Sequence, residues 1–235
     1  MGYLLLEGGA EFGGRMADPD KQAMMLAGGP DVPITIIPAA AAPDHNHHRA
    51  GQNGVGWFHR LGATHVSVLP LIDSASADDP EVAKTLTKSK FIYLLGGFPH
   101  YLAQVLNGSR SWQAILTAYR SGAVIAGSSA GAMVLCEFYY DPMSSQIFKG
   151  LNLVARICVL PHHNAFGKDW VPRLKNQLPN RILFGIDEET GALHDTSQDN
   201  WRVYGKGNIT LYHSGHVDKF GGGQEFILQN AVRNL

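Results

Sequence analysis

The sequence predicts an α/β fold of three layers, α/β/α, around a mainly parallel central sheet. Short runs of β-branched and other apolar residues recur along the chain, separated by segments of helical periodicity. Strands apolar on both faces that alternate with helices form a parallel sheet covered on each side. After about residue 187 the pattern changes to short alternating strands with turn signals such as GKGN and FGGGQ. That change predicts an antiparallel C-terminal extension on the same sheet.

In chain order, strands are predicted at Tyr3–Leu6, Ile34–Ala39, His65–Pro70, Phe91–Leu95, Ala123–Ala126, Ile157–Leu160 and Ile182–Ile186. Helices are predicted at Asp18–Ala27, Asn53–Leu61, Pro80–Ser89, Tyr101–Asn107, Ser111–Arg120 and Ala130–Phe138. The extension comprises Gly191–His194, Trp201–Tyr204, Ile209–His213 and Glu225–Leu228. No internal repeat or linker interrupts this order, so one domain over residues 1–235 is expected.

Composition narrows the function. With 235 residues, 45% of them apolar and 17% charged, the chain can bury a sizeable core, which excludes disorder. Nineteen Lys and Arg against 20 Asp and Glu leave a net charge of −1, so no global field draws in nucleic acid or an acidic membrane. Cys136 and Cys158 lie in apolar runs (MVLCEF, ARICVL) and read as buried free thiols suited to a reducing cytoplasm. The opening apolar run ends at Glu7 without a basic flank, and no run approaches the ~18 residues of a membrane span. A soluble cytoplasmic protein is expected.

The segment AVIAGSSAGAMVL (123–135) carries the strongest chemical signal. A β-branched run enters Gly127-Ser128-Ser129-Ala130-Gly131, and an apolar helical pattern follows. A serine on a sharp strand-to-helix turn needs small neighbours, because the backbone is strained there and a substrate must come close; Gly127 and Gly131 supply them. Ser129 is therefore the candidate nucleophile.

A serine hydroxyl needs a base to take its proton, usually a histidine oriented by a carboxylate. The strand Ile157–Leu160 ends in Pro161-His162-His163-Asn164, at the C-terminal edge where α/β sheets assemble their sites. His163 is the expected base. Between serine and histidine lie Glu137 and Asp141. On a regular helix Glu137 would stand about 12 Å from the serine along the axis. Asp141 sits beyond the expected helix end, on a loop able to fold back, and is preferred. Oxyanion donors are expected from the Ala130 N–H and from the Gly96-Gly97-Phe98 loop at another strand end.

GGF (96–98), GSSAGA (127–132), LPHHN (160–164) and GIDEETGAL (185–193), in this order and with LLLEGGAEF at the start, resemble the cyanophycinase and dipeptidase E family of serine peptidases over roughly residues 1–215. The resemblance implies a fold similar to class I glutamine amidotransferase domains, flavodoxin-like, with serine in place of their cysteine. It implies a cofactor-free hydrolase acting on a small peptide or oligopeptide substrate. The family's nucleophile falls on Ser129, its histidine on His163, its acidic partner on Asp141 and its oxyanion donors on Gly97 and Ala130. Two departures stand out. Phe98-Pro99 follows the glycine pair where the family has Asn or Asp and a polar residue. After the histidine, the family's arginine-containing run becomes Asn164-Ala165-Phe166-Gly167-Lys168-Asp169, with no arginine before Arg173. Lys168 or Arg173 is left to hold a substrate carboxylate, and Gly96, Phe98, His162 and Asn164 are the further expected contacts.

Other features read more plainly. Asp44, His45, His47 and His48 in PDHNHHR have a poor spacing for a metal and read as a polar loop on the active-site edge. Asp187-Glu188-Glu189 reads as strand-end and turn acids. Tyr139-Tyr140 and Trp57-Phe58 could pack or form homodimer contacts. Two competing functions remain: an α/β-hydrolase-type esterase pairing Ser129 with Asp187 and His213 or His216, and a non-catalytic relative that keeps the elbow as scaffolding.

Overall fold

In the computed structural model, which describes residues 2–213, 215–229 and 231–232, the first strand β1 (Tyr3–Glu7) already sorts the core into two sides. Side chains alternate across a strand. Leu5 packs with Met16, Ala23, Trp57 and Phe58, whereas Leu4 and Leu6 pack with Leu102, Leu106, Ile115 and Tyr119. The same sorting recurs on the neighbouring strand, where Val124 and Ala126 join the first cluster and Ile125 the second.

The helices behind these clusters are α1 (Ala17–Leu26) and α2 (His47–Arg60) on one side. On the other lie α3 (Ser74–Ala77), α4 (Pro80–Lys88), α5 (Pro99–Leu106), α6 (Arg110–Arg120) and α7 (Ala130–Leu135). Between them β1 pairs in parallel with β5 (Val124–Ser128), which continues through β4 (Phe91–Leu94) and β2 (Ile34–Ile37) to β3 (Val66–Val68). The expected three layers and parallel core are present.

Beyond β5 the chain departs from the expected single sheet. The helix predicted to reach Phe138 stops at Leu135, and Cys136–Asp141 (CEFYYD) forms β6. Its aromatic residues favour a pleated, half-buried surface over a helix. With β7 (Gln146–Lys149), β8 (Val154–Leu160) and β9 (Ile182–Ile186) it builds a second sheet. The C-terminal extension divides between the two. β10 (Thr190–Asp195), β11 (Asn200–Gly205) and β14 (Glu225–Phe226) add antiparallel to β1, while β12 (Asn208–His213) and β13 (His216–Gly221) continue from β9. One apolar cluster spans both sheets, joining Leu6 and Ile125 to Val159, Phe184 and Ile209. A smaller one lies under α8 (Val171–Gln177).

Trp57, Phe58, Tyr139 and Tyr140 are buried, so these aromatic pairs are packing residues and offer no free dimer surface. Cys136 and Cys158 are buried free thiols, and burial pushes both up, Cys158 to about 12. No helix among the described residues is long and apolar enough to cross a membrane.

Backbone hydrogen bonds then stitch the strand ends into one rim. Ser129 N–H donates to Glu7 O at 3.0 Å, His162 N–H to Gly8 O at 2.7 Å, His163 N–H to Ile186 O at 3.0 Å and Glu189 N–H to Gly9 O at 3.3 Å. Loops after β1, β5, β8 and β9 therefore meet at one place, although two of those strands belong to each sheet.

Candidate active site

Ser129 occupies the turn between β5 and α7 with φ 48° and ψ −110°, a conformation that L residues rarely adopt and that stores strain. The glycines around it are required by space. A Cβ at Gly127 would stand 2.5 Å from the Gly131 carbonyl carbon, and one at Gly131 would stand 2.3 Å from Leu94 O. The serine is thus held on a turn that nothing larger could close.

Facing it is His162, whose Nε2 lies 3.1 Å from Ser129 Oγ. His162 has φ 49°, so the first of the two histidines also sits in the left-handed region. Its ring fills the space beside Gly9, where an added Cβ would come within 2.2 Å of Cε1, and it stacks on Phe166 at a centroid distance of 4.9 Å. On the other side of the ring, His162 Nδ1 lies 2.8 Å from Glu188 Oε1. The Glu188 backbone N–H donates to Asn164 Oδ1 at 2.8 Å, which ties the acid's loop to the histidine's loop. Hydroxyl, imidazole and carboxylate form one continuous chain, the arrangement in which a ring can take a proton from oxygen while its other nitrogen is held by an acid.

Residues 4–198 match peptidase family S51. The chain belongs to this family. It is 28% identical over 200 residues to a cyanophycinase from Trichormus variabilis, covering 79% of this chain and 64% of that one. It is 28% identical over 222 residues to a cyanophycinase from Geminocystis herdmanii, covering 88% and 79%. The match thus spans about two thirds of the length of the Trichormus relative. A solved peptidase from an acI-B1 Actinobacterium superposes with a TM-score of 0.86 at 30% identity over 97% of each chain. A putative peptidase E from Listeria monocytogenes shares the fold, with a TM-score of 0.61 at 19% identity.

Within this S51 chain the remaining expected residues fall in different places. His163, the expected base, turns away from Ser129: its Nε2 lies 2.9 Å from the Tyr212 hydroxyl and its Nδ1 3.3 Å from Asp187 Oδ1. A Cβ at Gly185 would stand 2.5 Å from the His163 ring, so this ring is wedged between strands. Asp141, the expected third member, accepts from Ser144 N–H at 2.9 Å and from its hydroxyl at 2.6 Å, closing the β6–β7 turn. It ends a strand rather than leading a loop back toward the histidine. Glu137 is engaged by Arg156 N–H at 2.6 Å and the Arg181 guanidinium at 3.1 Å. The esterase constellation is not assembled either, because Asp187 bonds His163 and His213 bonds Asp218 at 2.7 Å.

The Gly96-Gly97-Phe98 loop reaches the serine. A Cβ at Gly96 would stand 3.3 Å from Ser129 Cβ, and Phe98 N–H anchors the loop to Ala40 O at 2.8 Å. Gly97 has φ +139° and leaves only 2.2 Å to Ala40 O for an added Cβ, so glycine is needed there. Lys168 is exposed. Arg173 bonds Ser145 O, and its guanidinium carbon stands 5.7 Å from the Tyr140 ring centre, which commits it elsewhere. The DHNHHR stretch leads into α2, which starts at His47, earlier than the periodicity suggests.

Two buried acids, Glu7 and Asp20, and the half-buried Glu11 lie behind the rim. Burial is the main cause that raises Glu7, Asp20 and Glu11, with Asp20 brought to about 7. Tyr93 donates its hydroxyl to Glu7, and Trp57 Nε1 donates to Asp20 Oδ2 at 2.7 Å. Asp187 goes the other way. Burial opposes its charge, but hydrogen bonds from His163 and Asn208 outweigh it and hold the carboxyl below its ordinary value. Glu188 meets the His162 ring and Glu11 the Gly96 N–H, contacts that sequence reasoning did not single out. Glu188 was visible inside IDEETGAL, but three consecutive acids carry no mark of which one faces a ring.

Proposed function

We propose that this protein is a serine peptidase in which Ser129 is the nucleophile, His162 the general base and acid, and Glu188 the carboxylate that orients the ring. The single observation behind this reading is the continuous chain from Ser129 Oγ to His162 Nε2 at 3.1 Å and from His162 Nδ1 to Glu188 Oε1 at 2.8 Å. Membership of a peptidase family supports it.

The reaction then runs in two halves. Ser129 Oγ attacks the scissile carbonyl carbon while its proton moves to His162 Nε2. The tetrahedral oxyanion is received by the N–H groups of Ala130 and Gly97, whose loops flank the serine. When the C–N bond breaks, the proton passes from Nε2 to the leaving amine. Water attacks the acyl-enzyme by the same route, giving its proton to His162, which passes it to Ser129 Oγ as the acyl C–O bond breaks and the acid leaves. Glu188 holds the Nδ1 proton throughout, which keeps Nε2 free to accept. The substrate is a peptide or isopeptide bond in a small or oligomeric substrate, a class in keeping with the cyanophycinases among the relatives.

Reaction with a fluorophosphonate followed by peptide mapping tests this reading. The adduct is expected on Ser129 and absent in Ser129→Ala. An adduct that persists in that variant, or none on a folded wild-type protein, overturns it.

A further inference from the structure

Phe166, on the loop after β8, is 50% exposed, and among the described residues it is the aromatic member of a short set of exposed large apolar side chains, with Met25, Met143, Val217 and Ile227. Its ring lies against the His162 imidazole, with centroids 4.9 Å and planes 26° apart. The loop that carries it is held from two sides. Ala165 N–H and Gly167 N–H both donate to His162 O, at 2.9 and 3.0 Å. A Cβ at Gly167 would stand 2.0 Å from Pro161 O, so glycine is what lets this turn close. Behind Phe166 stands Trp170, at a ring-centroid distance of 5.6 Å, and behind that Tyr140, 4.9 Å from Trp170.

We infer that Phe166 is a specificity-determining residue whose exposed side receives the side chain of the leaving residue, the one whose amine departs from the bond that Ser129 attacks, and selects aromatic side chains there. This rests on the serine-peptidase reading above and deepens it by giving the substrate class on the leaving side.

The path of the proton sets where that residue sits. His162 Nε2 gives its proton to the leaving nitrogen, which therefore passes within hydrogen-bond reach of the imidazole, about 3 Å. The next atom, Cα, is about 1.5 Å further, and the side chain starts one bond beyond it. The leaving side chain thus begins within about 6 Å of His162 Nε2, and Phe166 already stands beside that ring. An aromatic side chain there meets a second ring at about 4.5–7 Å between centres, where ring pairs attract beyond their buried area. The Phe166, Trp170 and Tyr140 rings carry no charge, so what this wall offers is apolar contact and ring packing. Exposed aromatic surface is costly in water, and that cost is recovered when a ligand covers it. Glycine as the leaving residue would leave the wall uncovered.

The test isolates the leaving side by running the amine step backward. Treatment with p-nitrophenyl acetate places an acetyl group on Ser129, and an added amino-acid amide competes with water for it. The amine nitrogen attacks the acetyl carbon, its proton goes to His162 Nε2 and on to Ser129 Oγ, and the C–O bond to the serine breaks, releasing the N-acetyl amide. At equal free-amine concentration, wild type is expected to trap phenylalanine amide about tenfold more than glycine amide, read by mass spectrometry as N-acetyl amide over acetate. In Phe166→Ala that preference is expected to fall to about twofold or less, and in Phe166→Tyr, which keeps the ring, to stay within about twofold of wild type. A variant that merely loosens the His162 ring lowers the trapping of both amides and leaves their ratio unchanged, and that result in Phe166→Ala overturns the proposal. So does equal trapping of the two amides in wild type, or trapping of neither, and so does a wild-type preference for arginine amide over phenylalanine amide. Absence of an acetyl group on Ser129 is a distinct result, which removes the nucleophile and this proposal with it.

Discussion

Two histidine–acid pairs stand side by side in this molecule, built from consecutive residues, and only one of them reaches the serine. His162 with Glu188 lies at the rim, their side chains 20% and 41% exposed, and the ring's second nitrogen meets Ser129. His163 with Asp187 lies beneath, each side chain 10% exposed, and the ring's second nitrogen meets Tyr212 on β12 of the second sheet. The chemistry of the two pairs is nearly the same. What separates them is the third group and the access of water: one pair meets the Ser129 hydroxyl at the rim, the other the Tyr212 hydroxyl beneath it.

The sharpest way to break this comparison is to alter the two acids in turn. Glu188→Gln is expected to lower turnover by roughly 10² to 10⁴, because an amide cannot hold the imidazole in the needed tautomer or stabilise its charged form. Asp187→Asn, one residue away, is expected to leave turnover within about tenfold of wild type. Steady-state kinetics on one peptide substrate distinguishes them, and an inverted order would exchange the roles of the pairs.

Stability should show the reverse order. Asp187→Asn and Tyr212→Phe remove partners from a buried ring and are expected to cost about 1–3 kcal/mol each in denaturant unfolding, with Glu188→Gln costing less. The pH dependence follows in sign. A carboxyl held below its ordinary value contributes stability above the unfolded carboxylate range and loses it as pH falls through its folded value. Asp187→Asn should therefore flatten the acid side of the stability curve, below about pH 4.

A smaller effect belongs to the acids behind the rim. Asp20 is raised from 3.8 to about 7 by burial, so the folded protein binds its proton more tightly than the unfolded chain. Stability drawn from this group is present below the unfolded value and falls as pH rises from 3.8 toward 7. Asp20→Asn should make that decline shallower, with the share of Glu7 and Glu11 left, read as thermal midpoints across this range. A decline that persists unchanged in the variant would show that another group carries it.

Much of this was legible in the residues. Runs such as Tyr3–Leu6 and Phe91–Leu95 read as buried strands, because apolar runs this short, bounded by turn residues, fit a sheet covered on both faces better than a helix. The serine elbow was legible for the same kind of reason, since Gly127 and Gly131 are the only residues the turn can hold. The second sheet was not. Cys136–Asp141 follows a helix without a break, and local pattern cannot tell the end of an apolar helix from the start of an aromatic strand. The choice between His162 and His163 was also beyond local pattern, because it turns on a positive φ at the first histidine and on Gly9 and Gly185 making room for one ring each. Asp141 reads as a loop acid in the sequence because only the pairing of β6 places it at a strand end, and Glu188 reads as a turn acid because only the pairing of β8 with β9 brings it to His162.

The measurement that bears most directly on the central claim is the rate of Ser129 modification by a fluorophosphonate in His162→Ala and His163→Ala, each checked for native circular dichroism. With Ser129 and His162 acting together, modification should fall by about 10² or more in His162→Ala and stay within about tenfold in His163→Ala. Modification that survives the loss of His162 but not the loss of His163 would contradict it.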